Sequence, residues 1–341
     1  MLSPPMQGHS LDPHSEPSAL YVDLDGTLVH GDTSAEALAR FVLTRPTGVF
    51  QVLRWLRHGR ARVKHELAGR VPTDPFALPY NELFMVRLRD LQRATPRPEL
   101  ILASGAHERI VAQVAAHCEF DAVLASDAAV NRVGGAKLEA ILERQQGRPF
   151  GYAGNAPIDL LVYAGAEDCW VVNPVGRVDS RLALTGKTYT LIDDRRPAPA
   201  RWLACLGGGK PLLALLALWG GWLAGASGVV LLALLIGVAC VASAACIARG
   251  FRDLDADRAH PVRRETGIAN SEVHQGLLLG VGSVLGVLGV VLTFGAGIWS
   301  GWASVGLFAA TIASGAHRRW PWWLTASVQP GLALAAGLLA G

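Results

Sequence analysis

Ala19-Leu20-Tyr21-Val22-Asp23-Leu24-Asp25-Gly26-Thr27 decides the fold of the N-terminal half of this chain. A short, unbroken apolar run closes on two acids separated by one residue, and Gly-Thr follows. Apolar residues without alternation fit a strand buried on both faces of a parallel sheet. The carboxyl end of such a strand is where ligands bind in open α/β sheets. An ordinary Asp-Gly turn would account for Gly26, but a turn alone has no need of both Asp23 and Asp25.

Working outward, Glu99–Ala103 is a second apolar run, ending at Ser104-Gly105, and Phe120–Ala125 is a third, ending at Ser126-Asp127. Gly134-Gly135-Ala136-Lys137 opens a helical stretch through Leu142. Gly151-Tyr152-Ala153-Gly154-Asn155 closes another short strand, with Asp159 four residues on, and Trp170–Pro174 fits one more. Strands alternating with helical stretches predict an α/β domain with a doubly wound parallel sheet over about 19–200. Between the first two strands, about 34–94, apolar residues recur at three and four (Phe41, Val42, Phe50, Val52, Leu53, Leu56), which predicts helices. That insert also carries Arg54, Arg57, His58, Arg60, Arg62, Lys64 and Arg70, either a solvated face or a surface for anionic phosphate or lipid.

These residues resemble the four motifs of the haloacid dehalogenase superfamily of phosphohydrolases. Asp23-Leu24-Asp25-Gly26-Thr27 stands for the first motif, Ser104 for the second, Lys137 for the third, and Gly154-Asn155 with Asp159 for the fourth. The resemblance implies a Rossmann-like sheet with the 34–94 insert as a helical cap. It also implies that Asp23 is a nucleophile forming an aspartyl-phosphate and that Asp25 is the general acid and base. Gly26, Thr27, Ser104, Gly105 and Lys137 would bind phosphate. Magnesium would be the cofactor, held by Asp23, the Asp25 carbonyl, and Asn155 with Asp159. The fourth motif usually begins Gly-Asp; Asn155 keeps a carbonyl oxygen but removes one negative charge.

The second half of the 341-residue chain reads differently. No charged side chain occurs from Pro211 to Cys246 or from Gln275 to Ala316, whereas roughly 20 apolar residues cover a bilayer. The pattern predicts an all-α membrane domain over 201–341 with about five spans, 211–227, 229–248, 276–295, 299–316 and 321–340. Trp219, Trp222, Trp299, Trp302, Trp320, Trp322 and Trp323 fit interface belts. Every Arg beyond Lys210 falls in Arg249–His274 or His317-Arg318-Arg319. The positive-inside rule therefore predicts a multi-pass protein with a cytoplasmic N-terminal domain and its C-terminus outside. Cys118, Cys169, Cys205, Cys240 and Cys246 show no paired spacing and fit a reducing compartment. Residues 1–18, rich in Pro, Ser and His, read as a disordered leader. A net charge of only +3 argues against nucleic acid.

One polar loop stands out, Arg252-Asp253-Leu254-Asp255-Ala256-Asp257-Arg258. After the second span it resembles the acid motif of UbiA-type membrane prenyltransferases. Asp253 and Asp257 match that motif's last two acids, and Arg249-Gly250 replace its leading Asn-Asp. The family's second acid-rich loop is not found in these residues, so the block reads as a shortened member, with prenyl transfer by this chain alone not expected. Fusion of the two domain types is a bacterial arrangement, which implies the bacterial cell membrane. The leading expectation is a membrane-anchored, magnesium-dependent phosphohydrolase acting on a phosphorylated small molecule or a lipid-linked phosphate, with membrane lipid and a second copy of the chain as further partners. The alternatives are polyprenyl transfer from a diphosphate and a catalytically degenerate scaffold.

Overall fold

The computed structural model describes residues 18–45, 47–127, 130–265, 267–316 and 322–340. The expected leader, apart from Ser18, lies outside the described residues, as do the His317-Arg318-Arg319 turn and Trp320. In chain order the elements are β1 (Ala19–Val22), α1 (Thr33–Thr44), α2 (Gly48–Leu56), α3 (Arg60–Arg70), α4 (Glu82–Arg93), β2 (Glu99–His107), α5 (Glu108–His117), β3 (Ala122–Ser126), α6 (Gly135–Gln145), β4 (Phe150–Gly154), α7 (Leu160–Gly165), β5 (Asp168–Val172), α8 (Val178–Ala183) and β6 (Thr190–Ile192). There follow α9 (Ala198–Cys205), α10 (Leu213–Leu223), α11 (Gly228–Arg252), α12 (Leu254–Arg258), α13 (Gln275–Ala296), α14 (Ile298–Ala316) and α15 (Trp322–Leu338). The chain divides into two compact units, residues 1–28 with 80–194, and residues 29–79 with 195–341.

The first unit is a six-stranded sheet in the order β3-β2-β1-β4-β5-β6, every neighbouring pair parallel. β1 sits between β2 and β4, with Ala19 opposite both Glu99 and Phe150. That central place is why its four residues are all buried and all apolar. Tyr21, Ile101, Phe150, Tyr152, Val162, Tyr163 and Val171 belong to one core cluster, and Tyr21 meets Phe150 edge-on at 5.7 Å. The strand order reverses between β1 and β4, so the carboxyl ends of these two strands bound the crevice where such sheets bind ligands. β6 is three residues long and exposed at two of them. It is an edge strand without an apolar run, and the sequence reading did not contain it.

The second unit is helical, and its membership is not contiguous. The helices α1 to α3, expected as a cap within the α/β domain, group with the C-terminal residues. Ala37, Phe41, Trp55, Leu67 and Val71 form a small core, while Ala39 joins Cys205, Ile247, Phe251, Leu254 and Leu278 in another. A buried ion pair ties these segments together. Arg258 donates Nη1 to Glu36 Oε1 at 3.0 Å and Nη2 to Glu36 Oε2 at 2.7 Å. Its remaining donors reach Ala269 O at 3.1 Å and Ser271 Oγ at 3.0 Å. With both carboxylate oxygens and four of the five N–H groups of the fork engaged, much of the burial cost of the two charges is offset.

Among the described residues two helices, α11 and α13, are long and apolar enough to cross a membrane, and a third span results if the pair Ala198–Cys205 and Lys210–Leu223, bent by 61°, is counted as one. The expectation is about five spans, and these two or three are the ones that length and composition support among the described residues. Helices occupy all five regions; the bend at Gly207 to Gly209 precedes the first of them, and the described apolar stretch of α14 is Ile298–Ser314. Small residues let the helices touch backbone to backbone. A Cβ on Gly289 would lie 2.7 Å from Gly237 O, and one on Gly337 would lie 2.1 Å from Ala217 O. Trp219, Trp222, Trp299 and Trp302 are each more than half exposed, at 54, 66, 64 and 57%, which suits a lipid interface. All five cysteines are free thiols.

Candidate active site

Asp23 is the first residue past β1, and its N–H extends the pairing to β4 by donating to Ala153 O at 2.9 Å. The chain then turns back sharply, with Leu28 N donating to Asp23 O at 3.2 Å and Thr27 N to Leu24 O at 3.4 Å. Gly26 makes the turn possible on two counts. Its φ is +78°, which side chains rarely adopt, and a Cβ there would sit 2.0 Å from Asn155 Nδ2. Asn155, the first residue past β4, therefore packs its amide onto the turn that carries Asp23 and Asp25.

Lys137 enters from the first turn of α6. Its Nζ donates to Asp23 Oδ1 at 2.9 Å and to Tyr152 Oη at 3.0 Å. Tyr152 in turn donates to Asp159 Oδ1 at 2.7 Å. Asp159 Oδ2 accepts from Asn155 N at 3.1 Å and from Ala156 N at 2.9 Å, and its Oδ1 lies 3.7 Å from Lys137 Nζ. Asp23, Lys137, Tyr152 and Asp159 thus form one continuous buried polar chain.

The electrostatics follow from that burial. Loss of solvent raises Asp23 from its ordinary value to about 6, with the nearby Asp159 charge adding to the rise and Lys137 opposing it. Burial by itself would lower Lys137, yet the charges of Asp23, Asp159 and Asp25 outweigh it and hold the ammonium above its usual range. Tyr152 is raised well above the ordinary phenol, first by burial and then by Asp159 and Asp23, so it remains a proton donor. Three carboxylates (Asp23, Asp159 and Asp25) thus act on one ammonium (Lys137).

The structure brings together Asp23, Gly26, Lys137, Asn155 and Asp159, with Asp25 half-buried and within electrostatic reach of Lys137. Ser104 stands on β2 two residues beyond Leu102, the partner of Val22, which places it at the same end of the sheet. It is buried, and its Oγ accepts from Ala106 N at 3.0 Å. Gly105 O accepts from Ser126 Oγ at 3.0 Å. Thr27 Oγ1 is buried with no hydrogen-bond partner among the described residues. Such an orphan beside the turn marks a place where a ligand oxygen would be welcome. Tyr152 is the residue that the sequence reading missed. An aromatic inside a buried strand reads as core, and the one hint is that it precedes Asn155 by three positions in the strand that carries the fourth motif.

Asp253 and Asp257 belong to the helical unit. Asp253 lies 3.4 Å from Arg252 Nε and Asp257 2.9 Å from Arg263 Nε, while Asp255 pairs with Arg40 at 2.5 Å. Each acid holds a different arginine. Among the described residues no group of three or more His, Cys, Asp or Glu side chains is placed to hold a metal ion.

No family model matches the sequence. A curated relative, the uncharacterized protein y4nM of Sinorhizobium fredii (strain NBRC 101917 / NGR234), is 28% identical over 264 residues, covering 74% of this chain and 50% of that protein. The chain thus spans about half the length of the relative it matches. Among solved structures, a phosphoserine phosphatase in apo form is similar at 14% identity and a TM-score of 0.38, covering 52% of this chain and 94% of that one. A HAD family hydrolase, t0658 from Salmonella enterica subsp. enterica serovar Typhi, is similar at 10% identity and a TM-score of 0.37, covering 48% and 66%. A protein of unknown function from Bordetella pertussis Tohama I gives 13% identity and a TM-score of 0.40, covering 51% and 97%.

Proposed function

We propose that the sheet unit is a phosphohydrolase of the haloacid dehalogenase type that works through an aspartyl-phosphate. The observation that carries this reading is the Asp23–Lys137 contact of 2.9 Å at the tip of the central strand, where the strand order reverses. In the first step an Asp23 carboxylate oxygen attacks phosphorus, the ester P–O bond breaks, and the leaving oxygen takes a proton from Asp25. In the second step Asp25 removes a proton from water, the hydroxide attacks the aspartyl-phosphate, and inorganic phosphate leaves with Asp23 restored. Lys137 orients Asp23 and offsets charge as the phosphoryl group arrives. Thr27 and Ser104 supply hydroxyls toward the phosphate oxygens.

The residues present fit a magnesium ion, because carboxylates gathered at the strand tip would otherwise repel a phosphate dianion. Magnesium typically binds one or two carboxylates and completes its shell with water and substrate phosphate. Asp23, the Asp25 carbonyl and the Asn155 side-chain oxygen would hold it, and it would supply charge neutralisation at the phosphoryl group. The expectation placed Asp159 among these ligands. Its oxygens are engaged by two backbone N–H groups and by Tyr152, so we assign it the positioning of Tyr152 and Lys137 instead.

The apolar helices of the second unit support anchoring in a membrane, with the basic loop Arg249–His274 on the cytoplasmic side and a lipid-linked phosphate as a natural substrate class. Prenyl transfer receives no support from the acid loop, whose three carboxylates diverge to separate arginines. The test is hydrolysis of p-nitrophenyl phosphate with magnesium by the full chain and by Asp23→Asn. Loss of the nucleophile should lower the rate by at least about a thousandfold, and equal rates would remove the proposal.

A further inference from the structure

The helical unit contains a cavity of about 130 Å³ at the end of α11, between the segment after α9 and the loop after α12. This is several times the roughly 10–15 Å³ that one water centre needs. Its walls are unusual in charge. Arg249 and Arg263 line it against a single carboxylate, Asp257. Asp257 is spent on Arg263 Nε at 2.9 Å, so two cations against one anion leave one positive charge unbalanced. That charge sits on Arg249, which is half-buried and has no ion-pair or side-chain hydrogen-bond partner among the described residues. Lys210 lies within electrostatic reach of Arg249, and among the described residues its Nζ meets a neutral acceptor alone, Gln329 Oε1 at 3.5 Å. Two neighbouring cations without an acid between them are costly to hold away from bulk water unless an anion joins them.

The backbone around these cations is drawn in tightly. Gly207 and Gly267 have φ of +95° and +61°. A Cβ on Gly207 would lie 2.5 Å from Cys246 Sγ, and one on Gly250 would lie 2.6 Å from Ile268 Cδ1. Close glycine backbone beside an arginine fork suits a tetrahedral oxyanion, which a guanidinium binds through paired N–H donors. Arg249 is also three residues from the end of α11, a helix long and apolar enough to cross a membrane, which sets it where lipid headgroups lie.

We infer that Arg249, assisted by Lys210 and Arg263, forms a metal-independent site for a phosphate group. It is separate from the Asp23 chemistry and does not depend on that reading. Metal independence follows from the acids of the loop, each of which already holds an arginine and none of which is left to cage a cation. The shared ligand chemistry is a phosphomonoester, supplied either as free phosphate or as a lipid headgroup.

The experiment measures binding to the full chain in excess EDTA. One arm titrates inorganic phosphate into protein in detergent. The other compares nanodiscs of phosphatidylcholine with and without dioleoylphosphatidate, which separates the free from the lipid source. Wild type should bind in at least one arm, and Arg249→Gln should bind at least about tenfold more weakly there while eluting from gel filtration as wild type does. Should Arg249→Gln elute abnormally, Arg249→Lys, which keeps the charge, must elute normally and retain binding within about tenfold. Absence of wild-type binding in both arms, binding that returns only with added magnesium, undiminished binding by Arg249→Gln, or loss of binding by a normally eluting Arg249→Lys would each overturn the inference.

Discussion

Replacing Tyr152 by Phe removes one oxygen from the middle of the buried polar chain and leaves the packing volume intact. Two hydrogen bonds to charged groups go with it, Lys137 Nζ to Oη at 3.0 Å and Oη to Asp159 Oδ1 at 2.7 Å. Asp159 Oδ1 is then left with Lys137 at 3.7 Å as its near cation. Hydrogen bonds to charged groups contribute about 1.5–3 kcal/mol each, and an orphaned buried acceptor bears its full desolvation cost. Part of the loss is recovered when Lys137 swings toward Asp159, so a net destabilisation of about 3 kcal/mol follows. For a domain of this size that is roughly 6–12 °C in midpoint. The same swing draws the ammonium away from Asp23, which should lower turnover about ten- to a hundredfold, in the range of a misplaced catalytic group. The assay is thermal inactivation of phosphatase activity, which reads the unit that carries the site, with initial rates at 25 °C for turnover. An inactivation midpoint within about 1 °C of wild type, together with an unchanged rate, would refute the claim that Tyr152 holds Lys137 in place.

Four further outcomes follow from the same geometry. With Asp23 held at about 6, kcat/KM for p-nitrophenyl phosphate should climb as pH rises through that value, because only the ionised carboxylate attacks. A profile flat from pH 5 to 7 would contradict this. The stability sign is the opposite: a carboxyl raised in the folded state keeps its proton between 3.8 and about 6 where the unfolded chain has lost it, so Asp23 makes the unit less stable as pH rises across that window, and Asp23→Asn should flatten the dependence in urea melts. Gly26→Ala meets both a φ of +78° and an Asn155 atom at 2.0 Å, so turnover should fall at least about a hundredfold; near-normal activity would mean the turn is looser than described. Asn155→Asp adds a carboxylate beside the turn and should tighten magnesium activation by about tenfold, read as the metal concentration at half-maximal rate, and no shift would exclude Asn155 from the metal's neighbourhood.

The sequence exposed those features whose physics is local. β1 is readable because a strand covered on both faces can be apolar throughout, and the two acids at its end exceed what a plain Asp-Gly turn requires. Lys137 is readable because Gly134, with φ of +58°, marks where α6 begins. β6 is hidden because an edge strand of three residues carries no pattern. Tyr152 is hidden because burial makes an aromatic ring look like core, and its hydroxyl matters only once β4 lies beside β1 and Asp159 folds back over Asn155. The same is true of Asp159. Its position after the fourth motif suggests a ligand, but its task of capping two backbone N–H groups depends on the turn at Asn155 and Ala156.

Long separation explains the remaining differences. Glu36 and Arg258 are 222 residues apart, and nothing in the helical periodicity of the insert announces that its acid will be buried against a loop so distant. The expected cap boundary at Ala94 likewise took α4 together with α1 to α3, whereas α4 belongs with the sheet and the other three with the C-terminal helices. Charge supplies what periodicity does not. Every acid of the 253–257 loop lies beside an arginine, so the surplus of positive charge there is concentrated on Arg249, while the sheet unit gathers a surplus of negative charge around Asp23. The two proposals therefore call for opposite compensation, a cation at the strand tip and an anion at the end of α11. A single phosphate-binding centre does not account for that separation of charge.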